Sequence, residues 1–260
     1  MPKMSSETTD PCTRATLHGP TMGTRWSVTV DADPALDLQA LRHDLAAAVQ
    51  TVDAQMSPWK PDSDLVRLNR APIDTWVDLS AEMLEVLGSA LEVHRQSAGA
   101  FDPCVGALVD AWGFGAVRDA PDAEAINTAR RAAPCTMQQA LELDQTSGRA
   151  FKRSSRQLDL CGIAKGYGVD RMVAVLQQHR VRHALAAIDG ELRALGSQAS
   201  GAPWAVALEA PDADRRTTHG VIELQDLAVA TSGDYRHYLN VGETRLAHTM
   251  DARRAAPVNN

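Results

Sequence analysis

From Thr24 the chain alternates. Trp26, Val28 and Val30 fall on one side with polar residues between them, the two-residue period of a half-buried strand over 24–31. The period then changes. Leu38, Leu41, Leu45, Val49 and Val52 recur at helical spacing and predict a helix opening at Asp33-Pro34. Residues 56–61 read as a turn, and Asp62 or Ser63 can cap a short helix through Asn69. Ser80 caps a longer helix carrying Leu84, Leu87 and Leu91 that stops near Gly99. Residues 101–112 form a compact segment headed by Asp102-Pro103, 113–121 is the best linker candidate, and Asp122 caps a further helix.

The second half is richer in strands. Residues 140–144 and 150–152 predict a hairpin around Ser147-Gly148. Residues 157–160 read as a short strand entering a glycine-rich turn, followed by a helix with Val169, Met172, Val173 and Leu176 along one side. Strands are expected at 184–188, 192–195, 204–209, 221–224 and 227–230. Helices first and strands later suit an α+β fold: a single mixed α/β domain with a mostly antiparallel sheet and flanking helices. Residues 1–18 are polar and expected to be loose, leaving 19–260 as the domain.

Composition narrows the function. The chain has 260 residues, 44% hydrophobic and 23% charged, enough for an ordinary core. Aromatic residues are only 4%, so that core leans on Ala, Leu and Val. A net charge of -7 argues against nucleic acid or an anionic membrane as the main partner, so an anionic ligand needs a local positive site. The four cysteines lie at long, irregular gaps and read as reduced thiols. The N-terminus shows no signal peptide or lipoprotein cleavage site, and no apolar stretch is long enough to span a membrane. As written, the expected place is the cytoplasm; a trimmed N-terminus would allow a periplasmic or membrane-anchored protein.

The strongest candidate chemistry lies in Leu158–Asp170. Exposed amides at a helix start favour anions, glycine lets backbone approach a phosphate, and Lys165 adds a positive charge. Asp159 is a carboxylate placed to meet a hydroxyl or a metal. The order is neither a Walker loop nor a Rossmann fingerprint, and an ordinary strand-to-helix turn with a solvated lysine has the same pattern. Ser97–Leu108, read alone, is a cap and helix start. In Leu246–Asp251 alternation puts His248 and Met250 on one face, and a histidine can accept a proton near neutrality. Ser232 in Ala230–Tyr235 lacks the nucleophile elbow and reads as a turn.

Several segments stand in a distinctive order: Thr21-Met22-Gly23-Thr24, Met56-Ser57-Pro58-Trp59 with Asp62–Leu65 and Leu68-Asn69, Ala100-Phe101-Asp102-Pro103, Leu158–Asp170, Ala230–Tyr235 and His248–Val258. From about Thr21 to the last residue this series resembles the FAD:protein FMN transferases of the ApbE type. The resemblance implies an enzyme that splits FAD, releases AMP and attaches FMN through a phosphoester bond to a Thr or Ser of an acceptor flavoprotein, with Mg²⁺. It implies that Met22, Trp59, Ala100, Phe101, Asp102, Asp159, Lys165 and Met250 touch FAD. Gly162 would offer its carbonyl to the metal, and His248 would help deprotonate the acceptor hydroxyl. Respiratory sodium pumps and related membrane electron-transfer complexes are the family's usual targets.

The match departs in places. The family's D-x-x-D-T metal ligands would lie beyond Asn260, so a C-terminally incomplete domain is expected. The usual D-P-R-T-G reads Asp251-Ala252-Arg253-Arg254-Ala255, the usual G-G-D reads Asp189-Gly190-Glu191, and Cys161 stands where the turn has its first glycine. A relative that binds FAD without transferring it, a flavin-binding module, is the alternative.

Overall fold

The first described element is a strand. β1 (Thr13–Thr21) pairs antiparallel with β2 (Thr24–Ala32), their register closing on Thr21 opposite Thr24. The computed structural model describes residues 12–132, 135–212, 215, 217–233, 238–242 and 244–258. The expected loose segment is therefore corrected for residues 13–18, and residues 1–11 lie outside the described ones. The outer half of β1 is mostly exposed, with only Ala15 and Leu17 packed inward, so its apolar period is short; pairing with β2 holds it.

Helix α1 (Leu38–Met56) starts later than Asp33-Pro34. Asp37 opens it, its Oδ1 accepting from the amides of Gln39 and Ala40 at 2.9 and 3.0 Å. Asp33 instead stabilises a turn by accepting from Ala35 N at 2.8 Å. Next come α2 (Asp64–Arg70), capped by Ser63, β3 (Thr75–Asp78) and α3 (Ala81–Gln96), capped by Ser80. A 3-10 turn (Pro103–Val105) leads into α4 (Gly106–Ala111), and Asp122 caps α5 (Ala123–Arg131). The stretch between α4 and α5 is ordered by Asp110, whose carboxylate accepts from the amides of Val117 and Arg118 and pairs with the Arg118 guanidinium.

A short α6 (Met137–Ala140) precedes the expected hairpin of β4 (Leu141–Asp144) and β5 (Arg149–Lys152). α7 (Cys161–Gln178) follows, then β6 (Ala184–Ile188), β7 (Glu191–Leu195), β8 (Trp204–Glu209), β9 (Thr218–Leu224) and β10 (Ala228–Ala230). The described chain closes with β11 (Tyr238–Val241), β12 (Thr244–Ala247), β13 (Met250–Asp251) and β14 (Ala256–Pro257). All described pairings are antiparallel, which with the helices makes the expected α+β class.

Contacts divide the chain into two compact units built from interleaved segments. One draws on the chain up to Val49 with Gly168–Glu209 and Thr218–Thr231; the other on Gln50–Tyr167, Ala210–Thr217 and Ser232–Asn260. The first holds a five-stranded sheet in the order β1-β2-β6-β7-β10. Trp26, Val28 and Val30 of β2 are buried in one cluster with Leu41, Leu45 and Val49 of α1 and with Val169, Met172, Val173 and Leu176 of α7. Both apolar periods read from sequence converge here. Two glycines allow close packing. A Cβ at Gly19 would lie 2.7 Å from the Trp26 indole nitrogen, and one at Gly168 would lie 2.8 Å from Cδ1 of Ile188.

The second unit contains the three-stranded sheet β3-β5-β4, helices α2 to α6 and the two C-terminal hairpins. Leu65, Leu68, Met83, Leu87, Met137 and Leu160 are fully buried in it.

Candidate functional site

The second unit gathers most of the chemistry-bearing segments. α3 ends in a tight turn: Ala98 and Gly99 take φ of 51° and 79°, and Gly99 N donates to His94 O at 2.9 Å. Buried His94, in the last turn, places Nδ1 2.9 Å from the Phe101 carbonyl oxygen. That oxygen can only accept, so Nδ1 carries the proton. Ser97 Oγ accepts from Phe101 N at 3.1 Å, and Asp102 Oδ1 accepts from Cys104 N at 2.9 Å ahead of Pro103. Ala100 is thus exposed on a braced loop, with Phe101 and Asp102 half-buried. Burial pushes the neighbouring Cys104 thiol up to about 12, so it stays protonated at neutral pH.

Residues 157–160 are not the expected strand. They have no ladder partner; their backbone is bonded to the 3-10 turn, to the start of α4 and to a side chain instead. Gly106 N donates to Gln157 O at 3.0 Å, and Asp159 N donates to Pro103 O at 2.8 Å. The glycine-rich turn is also corrected. Gly162, Gly166 and Gly168 lie inside α7, which begins at Cys161. Asp159 makes the start, its Oδ1 accepting from Cys161 N at 2.8 Å. Burial raises the Asp159 carboxyl above the usual range, against the lowering effect of that bond. Lys165 is half-buried in the second turn of the helix. A Cβ on Gly162 would sit 3.4 Å from Cε2 of Phe101, so the 97–104 loop and the α7 start touch.

The C-terminal segment joins the same group. His248 falls in a bend between β12 and β13 rather than on a continuous strand, its ring 6.5 Å from that of Phe114 and edge-on. β13 and β14 pair Met250 with Pro257 and Asp251 with Ala256. Asp251 Oδ1 accepts from the amides of Arg253 and Arg254 at 2.9 and 3.2 Å, so that oxygen is committed to the turn. Arg253 Nη2 reaches Ala98 O at 2.8 Å and ties this hairpin to the loop after α3.

Two further residues lie on other segments. Trp59 lies in the turn before α2, which Ser63 closes by donating from Oγ to Ser57 O at 2.7 Å; its side chain is 59% exposed. Met22 belongs to the first unit. It holds the β1–β2 turn with Gly23 at φ of 46° and 70°, a conformation a methionine adopts only under strain. Asp234 and Tyr235 lie outside the described residues.

Among the described residues no group of three or more His, Cys, Asp or Glu could hold a metal. The Gly162 carbonyl, at the second position of α7, points along the helix axis as helical carbonyls do. Mg²⁺ usually takes one or two carboxylates, and among the described residues no carboxylate cluster that could supply them is formed. A surface groove of about 500 Å³ lined by Leu91, Gln138, Gln139, Leu141, Glu142 and Arg153 contains none of the site residues.

Sequence reasoning missed three supports of this site: His94, Asn69 as a brace, and Arg253. A histidine on the apolar stripe of α3 carries no signal of its own, and the other two matter only through long-range bonds.

The ApbE family model matches residues 22–260. The chain belongs to the ApbE family. A protein of Vibrio cholerae named FAD:protein FMN transferase is 35% identical over 256 residues, 96% of this chain and 75% of that protein. One of the same name from Haemophilus influenzae is 33% identical, covering 93% of this chain and 72% of its own. Among solved structures, the flavin transferase ApbE from Vibrio cholerae superposes with a TM-score of 0.82 at 34% identity, over 96% of this chain and 80% of that one. The apo form of the Pseudomonas stutzeri flavinyl transferase ApbE gives 0.81 at 33% identity, over 95% and 77%. ApbE membership thus agrees with the order of motifs in the sequence. No helix among the described residues is long and apolar enough to cross a membrane.

Proposed function

We propose that this chain transfers FMN from FAD to a threonine or serine hydroxyl of an acceptor protein and releases AMP. The observation that carries the reading is the joining, within one unit, of the Ala100–Asp102 loop to Asp159 and the start of α7. The names of the family relatives support it.

In this reading the amides and Lys165 in the first two turns of α7 attract the pyrophosphate. Phe101 and exposed Trp59 offer faces to flat rings, and Met250 adds a polarizable contact. Asp102 and Asp159 recognise polar hydrogens of the nucleotide. Asp159 sits where burial favours its neutral form, which suits it to donate as well as accept. The acceptor oxygen attacks the phosphorus on the FMN side. A phosphorus–oxygen bond to that hydroxyl forms, the bond to AMP breaks, and His248 takes the hydroxyl proton.

Mg²⁺, which the resemblance implies, would neutralise phosphate charge. The described residues do not provide its ligand set. The acceptor is read as a flavoprotein subunit of an electron-transfer complex. The test mixes the chain with FAD, Mg²⁺ and a threonine-bearing acceptor peptide. Transfer gives AMP and a peptide heavier by one FMN phosphoester. FAD binding with neither product would reduce the chain to a flavin-binding module, and no binding would remove both readings.

A further inference from the structure

Residues 157–160 carry Asp159 and lead into α7, yet no strand pairs with them. The side chain of one residue does so instead. Asn69, at the end of α2, accepts from Leu158 N through Oδ1 at 2.8 Å and donates from Nδ2 to Leu158 O at 2.9 Å. Both backbone groups of Leu158 are satisfied as a neighbouring strand would satisfy them. Asn69 is itself fixed. The buried Lys152 ammonium donates to Asn69 O at 2.5 Å and to Ala71 O at 2.9 Å, closing the C-terminal end of α2 where carbonyls lack helical partners. Its hydrogen bonds go to neutral carbonyls, and desolvation lowers its pKa.

We propose that Asn69 is a positioning residue for the flavin nucleotide site. It sets the height and direction of the 157–160 segment, and through it the Asp159 carboxylate and the first amides of α7. Lys152 holds Asn69 in place from behind. The amide group is specific to the task, since only a side chain with one donor and one acceptor on a short stem can mimic a strand here. Aspartate would keep the acceptor and lose the donor; leucine or alanine would lose both. The proposal rests on the reading of this site as the place where FAD binds.

The test has two parts in the full chain. Hydrogen exchange without ligand reports the positioning. Asn69→Ala is expected to expose the amides of Leu158, Asp159 and Cys161 to faster exchange while α3 and β5 keep their protection. FAD titration reports the consequence. Asn69→Ala should weaken FAD binding by about tenfold or more, the scale expected when a first contact shifts by a fraction of an ångström. Asn69→Asp should fall between Ala and the wild type, and it serves alone if Asn69→Ala does not fold. Ile126→Ala, in buried Ile126 of α5, is the control for lost stability and should bind FAD normally below its melting range. Wild-type exchange and wild-type affinity in a folded Asn69 variant would overturn the proposal, as would an equal loss in the control. Faster exchange in a chain whose wild type does not bind FAD would instead overturn the functional reading alone.

Discussion

His94 Nδ1 donates to the carbonyl of Phe101 across 2.9 Å, from the last turn of α3 to the loop that follows it. One buried imidazole thereby fixes the segment bearing Ala100, Phe101 and Asp102. Asp102 Oδ1 lies 3.8 Å from the same nitrogen, too far for a hydrogen bond. His94→Ala is expected to cost about 2–4 kcal/mol, from the cavity and the orphaned carbonyl. Urea unfolding measures the cost. FAD affinity should fall in the same variant at temperatures where it remains folded.

Asp159 couples stability to pH in an unusual direction for a carboxylate. Its pKa is raised in the folded state, so its stabilising effect is present at acid pH and is lost as pH rises through the folded value. Asparagine keeps the oxygen that accepts from Cys161 N. Asp159→Asn should therefore flatten the loss of stability between the ordinary carboxylate range and neutrality. It should leave the chain as stable as the wild type or more so at pH 7, while FAD binds less tightly. Melting curves across pH, with FAD titrations beside them, check both signs.

Ala255 takes a φ of 50° in the turn between β13 and β14. It stands where the family pattern has glycine, so the departure read from sequence is a strained backbone in the structure. Ala255→Gly should relieve about 1 kcal/mol of strain and lose part of that to greater unfolded-state entropy, a small net gain. Ala255→Val should lose about 1–2 kcal/mol. Thermal melting of the three forms orders them Gly, Ala, Val.

Gly19 faces Trp26 across the β1–β2 ladder. An alanine Cβ would overlap the indole, and Gly19→Ala should destabilise by about 1–3 kcal/mol. Tryptophan fluorescence during denaturant unfolding reports it directly.

Cys104 is buried with its thiol raised to about 12, whereas Cys12 is exposed. At pH 8 a thiol reagent should label Cys12 readily and Cys104 only after unfolding. Peptide mapping of the labelled chain distinguishes the two.

Much of the fold was legible because single elements advertise themselves. Ser63, Ser80 and Asp122 cap the helices they were expected to cap, and the buried faces of β2, α1 and α7 follow their apolar periods. The errors share a cause. Residues 13–18 offer only Ala15 and Leu17 as an inward face and are held by the hairpin with β2, while β3 is four residues long and paired with distant β5, so neither is long enough to declare its period. Residues 157–160 alternate like a strand but pair with a side chain, and the glycines after them serve helix packing rather than a turn. For the site, the resemblance supplied residues that composition and period could not single out. The bonds joining them are tertiary, and so appear only when the chain is folded.

Exchange mapping with and without FAD tests the binding site most directly. Saturating FAD should slow amide exchange in residues 100–104, 157–165 and 248–257 together, and leave β8 and β9 unchanged. Unaltered exchange in those three segments, with FAD bound, would place the nucleotide elsewhere on the molecule.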